Sequence, residues 1–133
     1  MADPSLSPIE VVRAFLTAAE KKDFDTALRH VSDDIEYTNI PMATVRGPAA
    51  VRGVLEPFFG PTLENEFVVI RSAADGPVVF VERIDRHRVE SGWVELPVTG
   101  VLEVHGGRIT VWREYFDSVT LATILKSWPV PPG

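Results

Sequence analysis

The chain has 133 residues, 45% of them hydrophobic and 24% charged. That length holds one hydrophobic core and that mixture is globular, which excludes disorder and fibrous repeats. Its 13 basic and 19 acidic residues sum to −6, and there is no cysteine. An acidic chain without a basic stripe is a poor partner for nucleic acid. The absence of cysteine excludes disulfides, thiolate catalysis and cysteine-held metal centres.

No apolar run is long enough to cross a bilayer, and Met1-Ala2-Asp3-Pro4 has no signal-peptide pattern. A soluble, cytoplasmic protein without membrane association is therefore expected, as a single domain over residues 1–133.

Ser7-Pro8-Ile9-Glu10 reads as a capping box with proline at the first helical position. Behind it, Ile9, Val12, Phe15, Leu16 and Ala19 recur at helical spacing, predicting a first helix that ends near Lys22. A short second helix is predicted through Phe24, Ala27, Leu28 and Val31. A strand over Ile35–Ile40 follows, and then a third helix between Gly47-Pro48 and Gly60-Pro61. From residue 64 the period becomes alternating. Strands are predicted over Glu66–Ala73, Val78–Val89, Trp93–Val104 and Arg108–Phe116, with Asp75-Gly76, Ser91-Gly92 and Gly106-Gly107 as turns. Ser118 to Trp128 reads as a last helix, stopped by Pro129-Val130-Pro131-Pro132-Gly133.

Helices followed by a meander of long strands predict an α+β fold rather than alternating βαβ units. The expected architecture is a curved, mixed but largely antiparallel sheet forming a half-open cone. The N-terminal helices pack on it and the C-terminal helix sits at its mouth. Its concave interior suits a small apolar ligand.

The informative positions are polar residues on faces that otherwise read as buried. Val79, Val81, Arg83, Asp85 and His87 share one side of their strand, with Arg83 and Asp85 about 7 Å apart along it. Ile35, Tyr37 and Asn39 share a side of theirs, and Asp117 ends the aromatic run Trp112-Arg113-Glu114-Tyr115-Phe116. If these faces meet, an arginine stands between two aspartates, whose repulsion and burial keep one protonated and the other ionised. One acid and one base at short range is an arrangement for two-way proton transfer. Each piece also has a plainer reading. Arg83–Asp85 can be a solvated ion pair, Tyr37 and Asn39 can end a strand, and Asp117 can cap the last helix. His30, His87 and His105 lack metal-ligand spacing, and neither metal nor cofactor is expected. Of the three, His87 is placed to line a pocket.

Tyr37-x-Asn39, Arg83-x-Asp85 and Trp112-Arg113-Glu114-Tyr115-Phe116-Asp117, in that order, resemble the limonene-1,2-epoxide hydrolase family. The resemblance runs from the first helix through Asp117. It implies the cystatin-like cone of the nuclear transport factor 2 superfamily, which ketosteroid isomerases and SnoaL-like polyketide cyclases share. It further implies one-step hydrolysis of an apolar epoxide to a vicinal diol, with Asp117 as general base and Asp85 as general acid. Arg83 would bridge the two aspartates, Tyr37 and Asn39 would hold the water, and the chain would be a homodimer. Phe15, Leu16, Val79, Val81, Leu55 and Phe58, with the terminal helix, are candidate pocket walls. Two rivals remain at this level. An isomerase or cyclase on the same cone has no need of an arginine between two acids. A non-catalytic carrier of small apolar ligands has no use for buried charge.

Overall fold

In the computed structural model, residues 5–129 are described; the predicted stop at 130–133 and the N-terminal reading at 1–4 lie outside them. Helix α1 (Pro8–Glu20) begins as its sequence dictates. Ser7 Oγ accepts from Glu10 N at 3.2 Å, and Glu10 Oε1 accepts from Ser7 N at 2.9 Å. Its apolar stripe, with Val12, Phe15 and Leu16, is buried against the sheet. Helix α2 (Phe24–Leu28) is capped by Asp23 and stops before Val31, which opens strand β1 (Val31–Ile40) instead of closing the helix. The two-residue strand β2 (Val45–Arg46), which no local pattern announces, pairs antiparallel with β1. Helix α3 (Pro48–Phe59) starts directly after Gly47, whose φ of 87° lets the chain turn into it.

Strands β3 (Glu64–Asp75), β4 (Val78–Val89), β5 (Gly92–His105) and β6 (Arg108–Phe116) form the predicted meander. Two-residue turns join them, and Gly106 and Gly107 both take positive φ between the paired His105 and Arg108. The sheet has six strands in the order β2-β1-β6-β5-β4-β3 and does not close. It is mixed because β1 lies parallel to β6, with Tyr37 opposite Trp112 and Asn39 opposite Glu114. Helix α4 (Ser118–Leu125) crosses the open end, where Ile124 packs on Leu96 and Val98 of β5. Trp128 just beyond it donates to the Phe58 carbonyl at 3.0 Å, which ties the chain end to α3.

The fold class is as expected, an open α+β cone with helices on its inner side. Every second residue of β4 is buried from Val79 to Val89, so Arg83, Asp85 and His87 face inward among valines. No described helix is long and apolar enough to cross a membrane.

Candidate active site

The concave face encloses a cavity of about 270 Å³ with a mostly apolar wall. Phe15, Leu16, Leu55 and Phe58 line it, as expected, with Leu121 and Leu125 of α4 at the mouth. Val79 and Val81 do not. They are buried in the hydrophobic core instead.

Four of the five predicted polar residues line this cavity: Tyr37, Asn39, Arg83 and Asp85. Asp117 does not join them. It is exposed at the start of α4, where its carboxylate accepts from Val119 N at 3.2 Å and from Thr120 Oγ1 at 2.6 Å. Those bonds hold its carboxyl below the usual aspartate range, the Thr120 hydroxyl contributing most. Of the two readings its sequence offered, the helix cap is the one that folds.

The second carboxylate is Glu114. On β6 the inward face carries Trp112, Glu114 and Phe116, which alternate, and Asp117 falls on the opposite parity. That alternation is the signal in the sequence that identifies Glu114. Its burial is made possible by Gly100, its register partner on β5. A Cβ at Gly100 would lie 2.7 Å from Glu114 Oε2 and 3.1 Å from Arg83 Nη1.

Arg83 uses both sides of its guanidinium. Nε donates to Asp85 Oδ1 at 2.9 Å and Nη2 to Asp85 Oδ2 at 3.0 Å. Towards Glu114, Nη1 donates to Oε2 at 3.1 Å and Nη2 to Oε1 at 2.5 Å. All three residues are at most 6% exposed. Two-point bonding on each side is the geometry by which one arginine holds two carboxyls in a fixed relation away from water. Desolvation offsets much of the attraction in a buried ion pair, which makes it weak evidence of added stability; with a second acid the charges do not even balance.

The excess shows in the protonation behaviour. Burial raises the Glu114 carboxyl above the ordinary glutamate range and the Asp85 charge adds to this; the Arg83 charge opposes both. Tyr37 stacks flat on Trp112, ring centroids 4.0 Å apart at 13°, and Trp112 meets Phe15 edge-on at 5.0 Å. Asn39 Nδ2 donates to Tyr37 Oη at 2.9 Å. Burial first, then the Glu114 charge, push the Tyr37 phenol up, so it stays a neutral hydroxyl. The Trp112 indole N–H has no hydrogen-bond partner among the described residues, although its dipole still favours the Glu114 carboxylate. The result is one wall of the cavity with two acids, a bridging cation and a phenol–amide pair. Among the described residues no group of three or more acidic or histidine side chains has the arrangement of a metal site.

Fold and site together define an open α+β cone with a buried acid–arginine–acid cluster in its pocket. Residues 6–129 match the family model described as the limonene-1,2-epoxide hydrolase catalytic domain. The chain is 39% identical over 106 residues to epoxide hydrolase EphG of Mycobacterium tuberculosis, covering 80% of this chain and 70% of that protein. A solved LEH-like epoxide hydrolase of M. tuberculosis superposes with a TM-score of 0.77 at 36% identity, over 90% of both chains. An NTF2-like protein of unknown function from Cytophaga hutchinsonii, 19% identical, matches with a TM-score of 0.72 over 89% of this chain and 96% of that one, and speaks for the fold alone. The chain belongs to the limonene-1,2-epoxide hydrolase family.

Proposed function

We propose that this chain hydrolyses an apolar epoxide to a vicinal diol by direct attack of water, with Asp85 as general acid and Glu114 as general base. The observation that carries this is Arg83, forked between two buried carboxyls on the cavity wall. The reaction as proposed needs a proton on Asp85 and a free carboxylate on Glu114. A water held by Tyr37 and Asn39 gives a proton to Glu114 as its oxygen attacks an oxirane carbon. The bond from that carbon to the ring oxygen, on the face away from the water, breaks and Asp85 protonates the departing oxygen. The proton gained by Glu114 returns to Asp85 after the diol leaves.

The chemistry has a reason to be concerted. An epoxide oxygen is weakly basic and neutral water a weak nucleophile, so each step needs the other's proton transfer, worth on the order of 10²–10⁴-fold per group. Burial raises the proton affinity of Glu114, making its carboxylate a stronger base than a solvated glutamate. As written, the reaction consumes only water and needs no cofactor or metal. We propose further that the protein works in the cytoplasm as a homodimer. Val68, Ile70 and Phe80 on the outer face of β3 and β4 are exposed apolar side chains that a second copy can cover, a point that sedimentation analysis tests.

The test of mechanism is a single turnover of limonene-1,2-epoxide in ¹⁸O-water with enzyme in excess. The heavy oxygen is expected in the diol, with none in the protein. Label recovered in the carboxyl of Asp85 or Glu114 would mean an ester intermediate and would overturn direct attack.

A further inference from the structure

The cavity has a second polar pole that the proposed reaction does not use. His87 follows Asp85 by two residues on the inward face of β4, about 7 Å along the strand. It is 2% exposed and lines the cavity. Around it stand Trp128 at 5.1 Å between ring centroids, Phe59 at 5.4 Å, Phe58 at 6.0 Å and Phe67 at 6.4 Å. Among aromatic rings an imidazole is costly unless its polar atoms are matched, and here they are matched on one side only. His87 Nδ1 lies 2.7 Å from Asn65 Oδ1. Asn65, itself 4% exposed, is held by the Thr62 hydroxyl at 3.0 Å. Nε2 makes no hydrogen bond to any described residue. Thr62 and Asn65 thus fix the ring and leave one nitrogen for a ligand.

The chemistry of that ligand follows from charge. Burial depresses the imidazole to about 4, while the neighbouring Asp85 and Arg83 charges act on it in opposite directions. A neutral ring beside an acid–arginine–acid cluster whose cation is already engaged by both carboxyls has nothing to offer a carboxylate or phosphate. A hydroxyl, by contrast, both donates and accepts, and pairs with Nε2 in either tautomer. The cavity holds about the volume of nine water molecules, which suits a monoterpene-sized skeleton.

Resting on the hydrolase reading, we propose that His87 Nε2 binds a hydroxyl about 7 Å from the oxirane, so that hydroxylated alicyclic epoxides are preferred to hydrocarbon ones. His87 is a specificity residue, and Asn65 and Thr62 are its positioning residues.

The experiment compares kcat/KM for limonene-1,2-epoxide and for its derivative hydroxylated on the isopropenyl tail, in the wild type, His87→Leu and His87→Gln. The wild type is expected to favour the hydroxylated substrate by on the order of tenfold, which is the net worth of one matched hydrogen bond. His87→Leu removes or reverses that ratio and His87→Gln keeps part of it. A second measurement on the folded wild type needs no turnover: the ¹⁵N resonance of His87 Nε2 is followed while menthol or p-menthane is added. The alcohol is expected to move it and the hydrocarbon to leave it in place. Equal kcat/KM for the two epoxides, or a resonance that menthol does not move, would overturn the proposal. If menthol moves the resonance but neither epoxide is hydrolysed, the hydroxyl site stands and the hydrolase reading falls.

Discussion

Gly100 on β5 stands opposite Glu114 on β6, and a methyl group at position 100 would come within 2.7 Å of the Glu114 carboxylate. The absence of a side chain on one strand is therefore what admits a charged one on the next. Gly100→Ala is expected to displace Glu114 from the Arg83 fork and to lower kcat by on the order of 10²-fold, the usual effect of shifting a reacting group by about an ångström. Steady-state kinetics beside a thermal melt would check this. Full activity in the variant would mean that the fork does not need its present geometry.

The two acids are expected to be individually indispensable. Asp85→Asn and Glu114→Gln keep shape and lose proton transfer, and each should lower kcat by at least about 10²-fold. Asp117→Ala provides the contrast. It removes a helix cap outside the cavity, which should lower stability slightly and leave kcat as it was. An inactive but folded Asp117→Ala protein would restore that residue to the mechanism.

The dependence of kcat/KM on pH should show an acid limb. The acid limb marks loss of the base. Burial raises the Glu114 carboxyl from its ordinary 4.5, so activity should begin to fall on acidification while the pH is still above that value. A profile that stays flat to below pH 4.5 would remove Glu114 from the role of base.

His87 makes a prediction about stability. The unfolded chain takes up a proton on this ring near 6.5, the folded protein only near 4. Acidification through that window favours the unfolded state. The stability that the neutral ring confers is complete above about 6.5 and is lost as the pH falls to 4, a difference on the order of 3 kcal/mol. Urea titrations at a series of pH values should show His87→Leu with a shallower decline over this window than the wild type. Parallel curves would show that His87 titrates normally in the fold.

The sequence made much of this architecture legible because its signals are local. The capping box at Ser7 and Glu10, the glycine-containing turns and the two-residue period of β4 each act within a few neighbours, and each appears within a residue of where it is predicted. What local patterning does not carry is pairing between distant segments. Neither the parallel contact of β1 with β6 nor the short β2 has such a signature. Val31 was legible as helix because it continues an apolar stripe, yet β6 claims it through its pairing with Ile109. The carboxylates show the same division. Arg83 and Asp85 could be placed by counting along one strand. At the end of β6, by contrast, the strand-to-helix corner made Asp117 conspicuous and Glu114 ordinary. Alternation from Trp112 decides between them, and burial beside Gly100 confirms where Glu114 sits.

The parallel pairing of β1 with β6 has a kinetic consequence. Tyr37 and Asn39 reach Glu114 only when strands far apart in the chain have met, and such a closure carries the largest loop-entropy penalty of any strand pairing in the sheet. The β3–β4–β5 meander can form from neighbouring hairpins while the catalytic pocket is still incomplete. Catalytic competence should therefore be the last property regained on refolding, after most of the sheet's hydrogen bonds have become protected from exchange.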